Sequence, residues 1–240
     1  MNPARSPSPR VAIVTGSSQG IGAGVVAGFR AAGYSVVATS RTIESADEAD
    51  LLAVQGDIAL AETAQRVVEK ALDRFGRIDT VVNNAGVYIG KPFTDYTFED
   101  YTVMTAVNLA GFFHITQRAV PQMVNQGGGH VVNVTTSLVD HARSASPSAL
   151  ASLTKGGLDA VTRSLATEYA ARGVRFNAVA LGVIVTPAHD RGSYDGLAAV
   201  HPLGRLGEVS DVVEGILYLE RASFVTGETL HIDGGQAAGH

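Results

Sequence analysis

The sequence predicts one α/β domain, a doubly wound parallel sheet of about seven strands with helices on both faces. Short apolar runs alternate along the chain with longer segments whose apolar residues recur at helical spacing, which is the pattern of strand–helix units. No linker rich in proline, serine and glycine interrupts this pattern after residue 10. We therefore expect a single domain over residues 10–240, preceded by a polar, flexible tail over residues 1–9.

The strands are the short runs rich in valine, isoleucine and alanine, most of which end in glycine or polar residues. Such runs are apolar on both faces, as a parallel sheet covered by helices requires. They lie at 10–16, 35–41, 50–58, 78–86, 129–136, 174–182 and 229–235. Apolar residues at helical spacing predict the helices between them. These lie at 20–33, 62–76, 98–124, 152–173 and 209–219.

Composition excludes several classes of function. The 18 basic and 23 acidic residues give a net charge of −5 without long runs, so no basic surface for nucleic acid is expected. The chain has no cysteine, which removes disulfides and thiolate chemistry and fits a reducing cytoplasm. No apolar run approaches the roughly 20 residues that cross a bilayer. The seven histidines lack paired ligand spacing, so no metal site is expected.

The first strand ends in a glycine-rich turn, TGSSQGIG, over residues 15–22. Glycine lets the backbone turn tightly and approach a ligand, and the unpaired N–H groups at the start of the next helix attract a pyrophosphate. The position between a clear strand and a clear helix favours this function over a purely steric turn. The residues expected to hold a dinucleotide are Gly16, Ser18, Gln19, Gly20, Ile21 and Gly22.

Further motifs follow in order along the chain. They are DI at 57–58, NNAG at 83–86, VNLAGFF at 107–113, SLTKGGLDAVTRSLA at 152–166, FNAVALGVIVTP at 176–187 and FVTGETLHIDGG at 224–235. With the glycine turn, they resemble in order and spacing the motifs of the short-chain dehydrogenases/reductases. That Rossmann-fold family, which includes the 3-oxoacyl-ACP reductases, binds NAD(H) or NADP(H). The resemblance covers residues 10–235 and implies an oxidoreductase.

The resemblance also implies roles at the matched positions. Asp57 would bind the adenine amino group, and Ile58 would pack beside the adenine ring. Lys155 would bind the nicotinamide ribose. The remaining positions, which would line the adenosine ribose or cover the nicotinamide, are Asn84, Ala85, Gly86, Gly182, Val183, Ile184 and Thr186.

The end of the second strand distinguishes two cofactors. An NAD-selective enzyme usually has an acid there that binds both ribose hydroxyls, whereas a 2′-phosphate needs a cation or hydroxyl donors. Here Ser40 and Arg41 follow the strand, and no acid precedes Glu44. Because the forked guanidinium of Arg41 suits a phosphate, NADP(H) is expected rather than NAD(H). An ordinary solvated arginine is the alternative interpretation.

The catalytic positions match the family less completely. The family uses Asn, Ser, Tyr and Lys, and the Tyr passes a proton to or from the substrate oxygen. Asn108 and Lys155 match, and Thr136 stands in the place of the Ser. Ala151 lies four residues before Lys155, where the Tyr belongs, and Leu181 replaces a usual proline. A positioned general acid typically contributes about 10²- to 10⁴-fold in rate, so its absence matters.

Three interpretations are consistent with Ala151. The first is an NADP(H)-dependent oxidoreductase for a small carbonyl, alcohol or imine substrate, with its proton donor elsewhere. The donor candidates are His141, Tyr88, Ser137, Asp140 and a water held by Lys155 and Asn108. The second is reduction of a conjugated C=C bond, since dienoyl-CoA reductases of this fold also lack that Tyr. The third is a nucleotide-binding sensor, scaffold or partner subunit without redox turnover.

Two further expectations follow from the resemblance. Members of the family are commonly tetramers, so a homotetramer is expected. The segment 187–206 contains glycine, proline, aspartate and two histidines, and we expect it to form a lid over a small-molecule substrate. Its residues carry no signature of a particular substrate.

Overall fold

Seven strands form one sheet in the part of the chain that the structure describes, residues 8–187 and 194–239 of a computed structural model. They are β1 (Val11–Thr15), β2 (Ser35–Ser40), β3 (Leu51–Gln55), β4 (Thr80–Asn83), β5 (Gly129–Thr136), β6 (Val174–Leu181) and β7 (Thr229–Ile232). Their order is β3-β2-β1-β4-β5-β6-β7, and every neighbouring pair is parallel. The predicted fold class is therefore confirmed. The strand order reverses between β1 and β4, where folds of this kind bind ligands.

Helices cover both faces of the sheet. They are α1 (Gly20–Ala31), α2 (Ala61–Phe75), α3 (Phe98–Thr105), α4 (Gly111–Asn125), α5 (Ala149–Tyr169), α6 (Tyr194–Ala198) and α7 (Val209–Arg221). One core lies under α1 and α7 and includes Val25, Phe29 and Ile216. The other lies under α2, α4 and α5 and includes Val67 and Ile115. Burying apolar residues on both faces explains why the strands read as continuous apolar runs.

Several predicted boundaries were wrong. The helix predicted from residue 152 begins at Ala149, so Lys155 lies in the second turn of α5. The helix predicted over 98–124 is interrupted by a π-helical turn, Ala106–Ala110, between α3 and α4. Such a turn adds one residue to the local hydrogen-bonded ring and commonly occurs at functional sites. It turns Asn108 inward, where only 1% of its surface is exposed.

Two predicted segments fall partly outside the described residues. The flexible tail over residues 1–9 is described only from residue 8, so its flexibility stays a prediction. The predicted lid, 187–206, is described at residue 187 and from residue 194 onward. Its described part contains α6, a helix that the sequence analysis does not predict.

A buried polar network holds the amino-terminal edge of the sheet. The Nδ1 atom of His130 lies 2.7 Å from Glu220 Oε2, and the Tyr34 hydroxyl donates to Glu220 Oε1 at 2.8 Å. Asn177 Nδ2 donates to the other ring nitrogen of His130 at 3.0 Å, so the ring is neutral with its hydrogen on Nδ1. Burial lowers the pKa of His130, which agrees with this tautomer. His130 is therefore a structural residue, remote from the carboxyl ends of the strands.

Candidate active site

The glycine turn after β1 is packed too closely to accept side chains. Gly16 has φ +67°, in the region that favours glycine. A Cβ at Gly22 would collide with the carbonyl oxygen of Gly16 and lie 2.7 Å from Asn84 Nδ2. A Cβ at Gly16 would lie 2.8 Å from Ala85 Cα. The turn therefore exposes bare backbone at the start of α1, where N–H groups favour an anion.

Residues that follow β4 hold this turn in place. Asn84 Nδ2 donates to the carbonyl oxygens of Thr15 and Gly16, at 2.9 and 3.0 Å. In return, Thr15 Oγ1 accepts the backbone N–H groups of Asn84 and Ala85, at 3.1 and 3.0 Å. The amide of Asn84 is thus tied to the backbone of the turn, and β1 and β4 present one continuous surface at the point where the strand order reverses.

The end of β2 presents hydroxyl groups and one cation. Thr42 Oγ1 donates to Ser18 Oγ at 3.3 Å, and the backbone N–H of Thr42 donates to Ser40 Oγ at 3.3 Å. Arg41 is exposed beside them, and among the described residues its guanidinium has no hydrogen-bond or ion-pair partner. A cation and the hydroxyl hydrogens of Ser18 and Ser40 are therefore available there to a phosphate.

Asp57 and Ile58 lie at the carboxyl end of β3. Asp57 Oδ1 accepts the N–H of Ala59 at 3.0 Å, which fixes its carboxylate. Ile58 is 7% exposed and packs so closely against the start of α4 that a Cβ at Gly111 would lie 2.9 Å from Ile58 Cγ2. Most of the Ile58 side chain is thus covered by α4, and only a small part faces the surface.

Asn108 and Lys155 converge on Gly86. A Cβ at Gly86 would lie 2.9 Å from Lys155 Nζ and 3.4 Å from Asn108 Oδ1. Among the described residues, Lys155 Nζ donates one hydrogen bond, to the carbonyl oxygen of Val134 in β5 at 2.8 Å. Burial lowers the pKa of Lys155 to about 8, because the charged form is poorly solvated. The ammonium therefore lies between β4 and β5 with donor capacity to spare.

Asn108 clamps the backbone after β4. Its Nδ2 donates to the Val87 carbonyl oxygen at 3.0 Å and to Thr154 Oγ1 at 3.0 Å. Its Oδ1 accepts the Val87 N–H at 2.8 Å. Both amide hydrogens are used within the protein, so only the oxygen has capacity left for a ligand or a water.

Ala151 lies in a closed apolar contact. Only 2% of its surface is exposed, and it clusters with Met104 and Leu150. The side chains packed against this cluster are Val87, Ile89 and Tyr96. A larger side chain at position 151 would have to displace this packing, which typically costs about 1–3 kcal/mol. The alanine is therefore built into its surroundings and does not leave a hole.

Comparison with known proteins identifies the family. The profile of a family described as enoyl-(acyl carrier protein) reductase matches residues 16–237. The chain belongs to the short-chain dehydrogenase/reductase family. This confirms the resemblance and makes the protein an oxidoreductase by family.

Two curated relatives and one solved structure resemble this short-chain dehydrogenase/reductase over nearly their whole lengths. A Streptomyces violaceoruber protein named as ketoacyl reductase 2 of the granaticin polyketide synthase is 37% identical, covering 96% of this chain and 97% of that protein. The 3-oxoacyl-(acyl-carrier-protein) reductase of Thermotoga maritima is 34% identical over 94% and 97%. A tyrosine-to-phenylalanine variant of ElxO with NADPH bound has a TM-score of 0.90 at 30% identity, covering 96% and 100%.

The proton-donor candidates of this short-chain dehydrogenase/reductase differ in their availability. Ser137 is fully buried and donates its hydrogen to Asp233 Oδ2 at 2.7 Å, so it has no proton to offer a substrate. Asp140 lies 2.9 Å from His231 Nε2, on the side of β7. The side chain of His141 is partly exposed. Tyr88 is 54% exposed, and its hydroxyl lies 3.4 Å from Ser146 Oγ.

Thr136 and the segment after β6 lie at the same edge of the sheet. Thr136 is the last residue of β5 and pairs in register with Leu181, the last residue of β6. Its Oγ1 accepts the N–H of Leu138 at 3.3 Å, and within the described part of the chain its hydroxyl hydrogen has no acceptor. A Cβ at Gly20 would lie 3.3 Å from Thr186 Cγ2, so the segment after β6 reaches the glycine turn.

Two residues of this region, Thr42 and His201, were not predicted from the sequence. Thr42 joins Ser18 and Ser40, which a hydroxyl directly after Arg41 could have suggested. His201 accepts the N–H of Val183 at 3.0 Å, and nothing in the sequence distinguishes it from the other histidines. Among the described residues, no group of three or more histidine, aspartate or glutamate side chains could hold a metal ion. The described helices include none that is long and apolar enough to cross a membrane.

Proposed function

We propose that this protein is an NADP(H)-dependent oxidoreductase that transfers hydride between the nicotinamide and a small carbonyl, alcohol or imine substrate. The observation that carries the proposal is the convergence of Lys155 and Asn108 on Gly86, next to the glycine turn. Burying a lysine ammonium between two strands costs free energy when some of its N–H groups have no acceptor. A bound ligand that accepts those hydrogen bonds explains the position of Lys155. The kinship with named ketoacyl reductases supports the same reaction class.

The residues present fit the cofactor. The backbone of Gly16, Gly20 and Gly22 suits a pyrophosphate because no side chain covers it, and a Cβ at Gly22 would fill the space within the turn. Asp57 and Ile58 are proposed to contact the adenine, and Asn84, Ala85 and Gly86 its ribose. When bound, the nicotinamide supplies or accepts the hydride. Lys155 is proposed to donate to the nicotinamide ribose, since its Nζ faces Gly86.

The 2′-phosphate is assigned to the end of β2. Arg41 supplies a forked cation, and the hydroxyls of Ser18 and Ser40, which accept hydrogen bonds from Thr42, supply further donors. The structural neighbour ElxO binds NADPH, which supports the same preference here. That neighbour has phenylalanine in place of one tyrosine, so it binds NADPH without the hydroxyl group of that tyrosine.

Replacing Arg41 tests the cofactor preference. Arg41→Ala is expected to weaken NADPH binding about tenfold to a hundredfold, because a charge-assisted pair with a phosphate is lost. NADH binding should change less than threefold, since NADH lacks the 2′-phosphate. Dissociation constants from nicotinamide fluorescence measure both. Arg66→Ala, which removes another arginine near β3, serves as the control, and equal weakening of both cofactors by Arg41→Ala would contradict the assignment.

The proton path is assigned to a water held by the Lys155 ammonium and the Asn108 oxygen. Both groups face Gly86, and within the described residues the ammonium retains two hydrogens and the Asn108 oxygen one acceptor position. Thr136 is proposed to donate to the substrate oxygen, because its hydroxyl hydrogen is free and its position matches the Ser of the family. Tyr88 is the remaining side-chain donor with an exposed hydroxyl.

Reduction of a conjugated C=C bond is a second candidate. The matching family profile is described as an enoyl reductase, and the apolar contact around Ala151 removes the phenol that a carbonyl reduction would use. In such a reduction the proton goes to carbon or to an enolate held by hydroxyl and ammonium donors. Thr136 and Lys155 would then serve as those donors.

One panel of substrates separates the candidates. Purified protein and NADPH are mixed with ketones, imines, 3-oxoacyl thioesters, enones and enoyl thioesters, and NADPH consumption is followed by absorbance. We expect turnover of a carbonyl or imine compound. Turnover restricted to enones and enoyl thioesters would select the second candidate. Tight NADPH binding without consumption in any mixture would overturn both and leave a nucleotide-binding protein.

A homotetramer is proposed as the assembly. Large apolar side chains are exposed on α3, α4 and α5, and others on α7 and the adjoining loops, as expected of surfaces that pack against copies of the chain. They are Phe98, Tyr101, Phe113, Leu153, Tyr218 and Phe224. Light scattering on the purified protein gives the mass that checks this assembly.

A further inference from the structure

We propose that His201 is a positioning residue that holds the Gly182–Ile184 segment in its cofactor-covering conformation and ties that segment to the substrate loop. The inference rests on the proposed function for the role of Gly182–Ile184. The residue itself was assigned no function by the motifs, and it lies outside the set that converges on Gly86. The contacts of its imidazole support the positioning role.

The imidazole of His201 fills a slot shaped by two glycines. Only 3% of its surface is exposed. A Cβ at Gly182 would lie 2.6 Å from His201 Nε2, and a Cβ at Gly234 would lie 3.1 Å from His201 Cβ. Side chains at either position would push the ring out. The ring is thus enclosed between the end of β6 and the turn after β7.

One ring nitrogen makes a directed contact with the segment. The backbone N–H of Val183 donates to His201 Nε2 at 3.0 Å. Because Nε2 accepts, the ring is neutral and carries its hydrogen on Nδ1. Val183 is therefore held by an acceptor that exists only while the imidazole is unprotonated.

Backbone pairing with Gly207 orients Ile184, and the hydrogen bond to His201 holds the neighbouring Val183 as well. Gly207 donates its N–H to the Val183 carbonyl oxygen at 3.0 Å and accepts the Val185 N–H at 2.8 Å. Backbone groups of successive residues in an extended segment point to opposite edges, so the N–H and C=O of Ile184 point away from Gly207. These backbone groups of Ile184 are available to a bound ligand, and rotation of Val183 would turn them away from that ligand.

Three further hydrogen bonds hold His201 and the residues beside it. Its own N–H donates to the Ala198 carbonyl oxygen of α6 at 3.1 Å. Leu203 donates to the Gly234 carbonyl oxygen at 3.1 Å. Arg143, in the loop between β5 and α5, donates to the Val200 carbonyl oxygen at 3.0 Å. A shift of the substrate loop would therefore be passed through the imidazole to Val183.

Protonation of His201 would break this hydrogen bond, because an N–H on Nε2 would then face the N–H of Val183. Burial lowers the pKa of His201, against the opposing effect of backbone carbonyls and Asp233. Asp233 favours the proton and Arg143 disfavours it. The other charged groups that line the adjoining cavity of about 400 Å³ are Arg205, Asp211, Glu214 and His231. The contact is thus intact at neutral pH and lost on acidification below the usual range of histidine.

Two substitutions test the proposal. His201→Gln keeps an acceptor for Val183 without a titrating group, and His201→Leu removes the acceptor at similar size. NADPH dissociation constants are measured from pH 5 to pH 8 for both variants and the wild type. The control is His231→Gln, which removes a histidine that lines the same cavity without touching Val183.

We expect His201→Leu to weaken NADPH binding about tenfold at neutral pH, the effect of one lost hydrogen bond. His201→Gln should stay within about threefold of the wild type. The 2′-phosphate titrates in the same pH range, so the His201→Gln curve supplies the baseline. The wild type should lose affinity more steeply than this baseline as the pH falls. Equal pH curves for the wild type and His201→Gln, with His201→Leu binding normally, would overturn the proposal.

Hydrogen exchange in the ligand-free protein separates this proposal from the proposed function. The Val183 amide should exchange at least tenfold faster in His201→Leu than in His201→Gln or the wild type, since its acceptor is gone. That result does not depend on NADPH. If the wild type fails to bind NADPH at all, the proposed function fails, and the exchange of Val183 still decides whether His201 holds the segment. Unchanged exchange in His201→Leu would refute the positioning role.

Discussion

Lys155→Met is expected to lower the rate of NADPH oxidation at least about 100-fold, because the ammonium is the one cation that faces Gly86 between β4 and β5 among the described residues. Methionine preserves the length of the side chain, so the packing around α5 changes little. NADPH affinity should fall about tenfold with the loss of the ribose contact. Stopped-flow absorbance and equilibrium fluorescence measure the two effects separately.

The pH dependence of the wild type provides an independent check on Lys155. Its pKa is lowered to about 8, so the ammonium loses its proton as the pH rises through that value. NADPH affinity should therefore decline above about pH 8 in the wild type. Because the folded pKa lies below the ordinary value of Lys, the titration of Lys155 makes folding more favourable as the pH rises, so this group does not itself unfold the protein. A decline of equal size in Lys155→Met would show that another group is responsible.

Gly22→Ala is expected to abolish detectable NADPH binding, a loss of more than about 100-fold. The added Cβ would collide with the Gly16 carbonyl oxygen and press on Asn84 Nδ2. The first of these atoms is in the backbone, and the second is in a side-chain amide that is hydrogen-bonded to the backbone. Neither atom can therefore move without opening the turn. The strain should also lower the free energy of unfolding by roughly 1–3 kcal/mol. Titration with NADPH and urea denaturation measure these effects.

Gly196→Ala is the matched control for that substitution. Gly196 lies in α6, and a Cβ there would meet no atom within 4 Å. A glycine-to-alanine change in a helix commonly adds up to about 1 kcal/mol of stability. Its NADPH affinity should match the wild type. If Gly22→Ala also binds NADPH within threefold of the wild type, the glycine turn is not the pyrophosphate cradle.

The sheet and the glycine turn were predictable because their signals are local. Apolar runs bounded by glycine specify buried parallel strands, and a strand followed by spaced glycines specifies a turn at the start of a helix. The strand order was not predicted and came from the structure. The positions of Asn84 and Lys155 followed from motif spacing, and the structure brings both to the same edge of the sheet.

The remainder depended on tertiary contacts that no short motif carries. The π-helical turn that buries Asn108 requires the clamp on Val87, which joins residues 21 positions apart. The role of Ser137 is set by Asp233, 96 residues later, so a hydroxyl that looked available as a proton donor proves to be structural. His201 acquires its contact from the packing of two glycines at the ends of β6 and β7.

Isotope transfer tests the central claim, hydride transfer at a site where Ala151 stands four residues before Lys155. The protein is incubated in a single turnover with NADPH that carries deuterium at both C4 positions of the nicotinamide and with the best substrate of the panel, and the product is analysed by mass spectrometry. We predict one deuterium per product molecule in the wild type and at least about 100-fold slower transfer in Lys155→Met. Tight NADPH binding with no deuterium in any product would contradict the account.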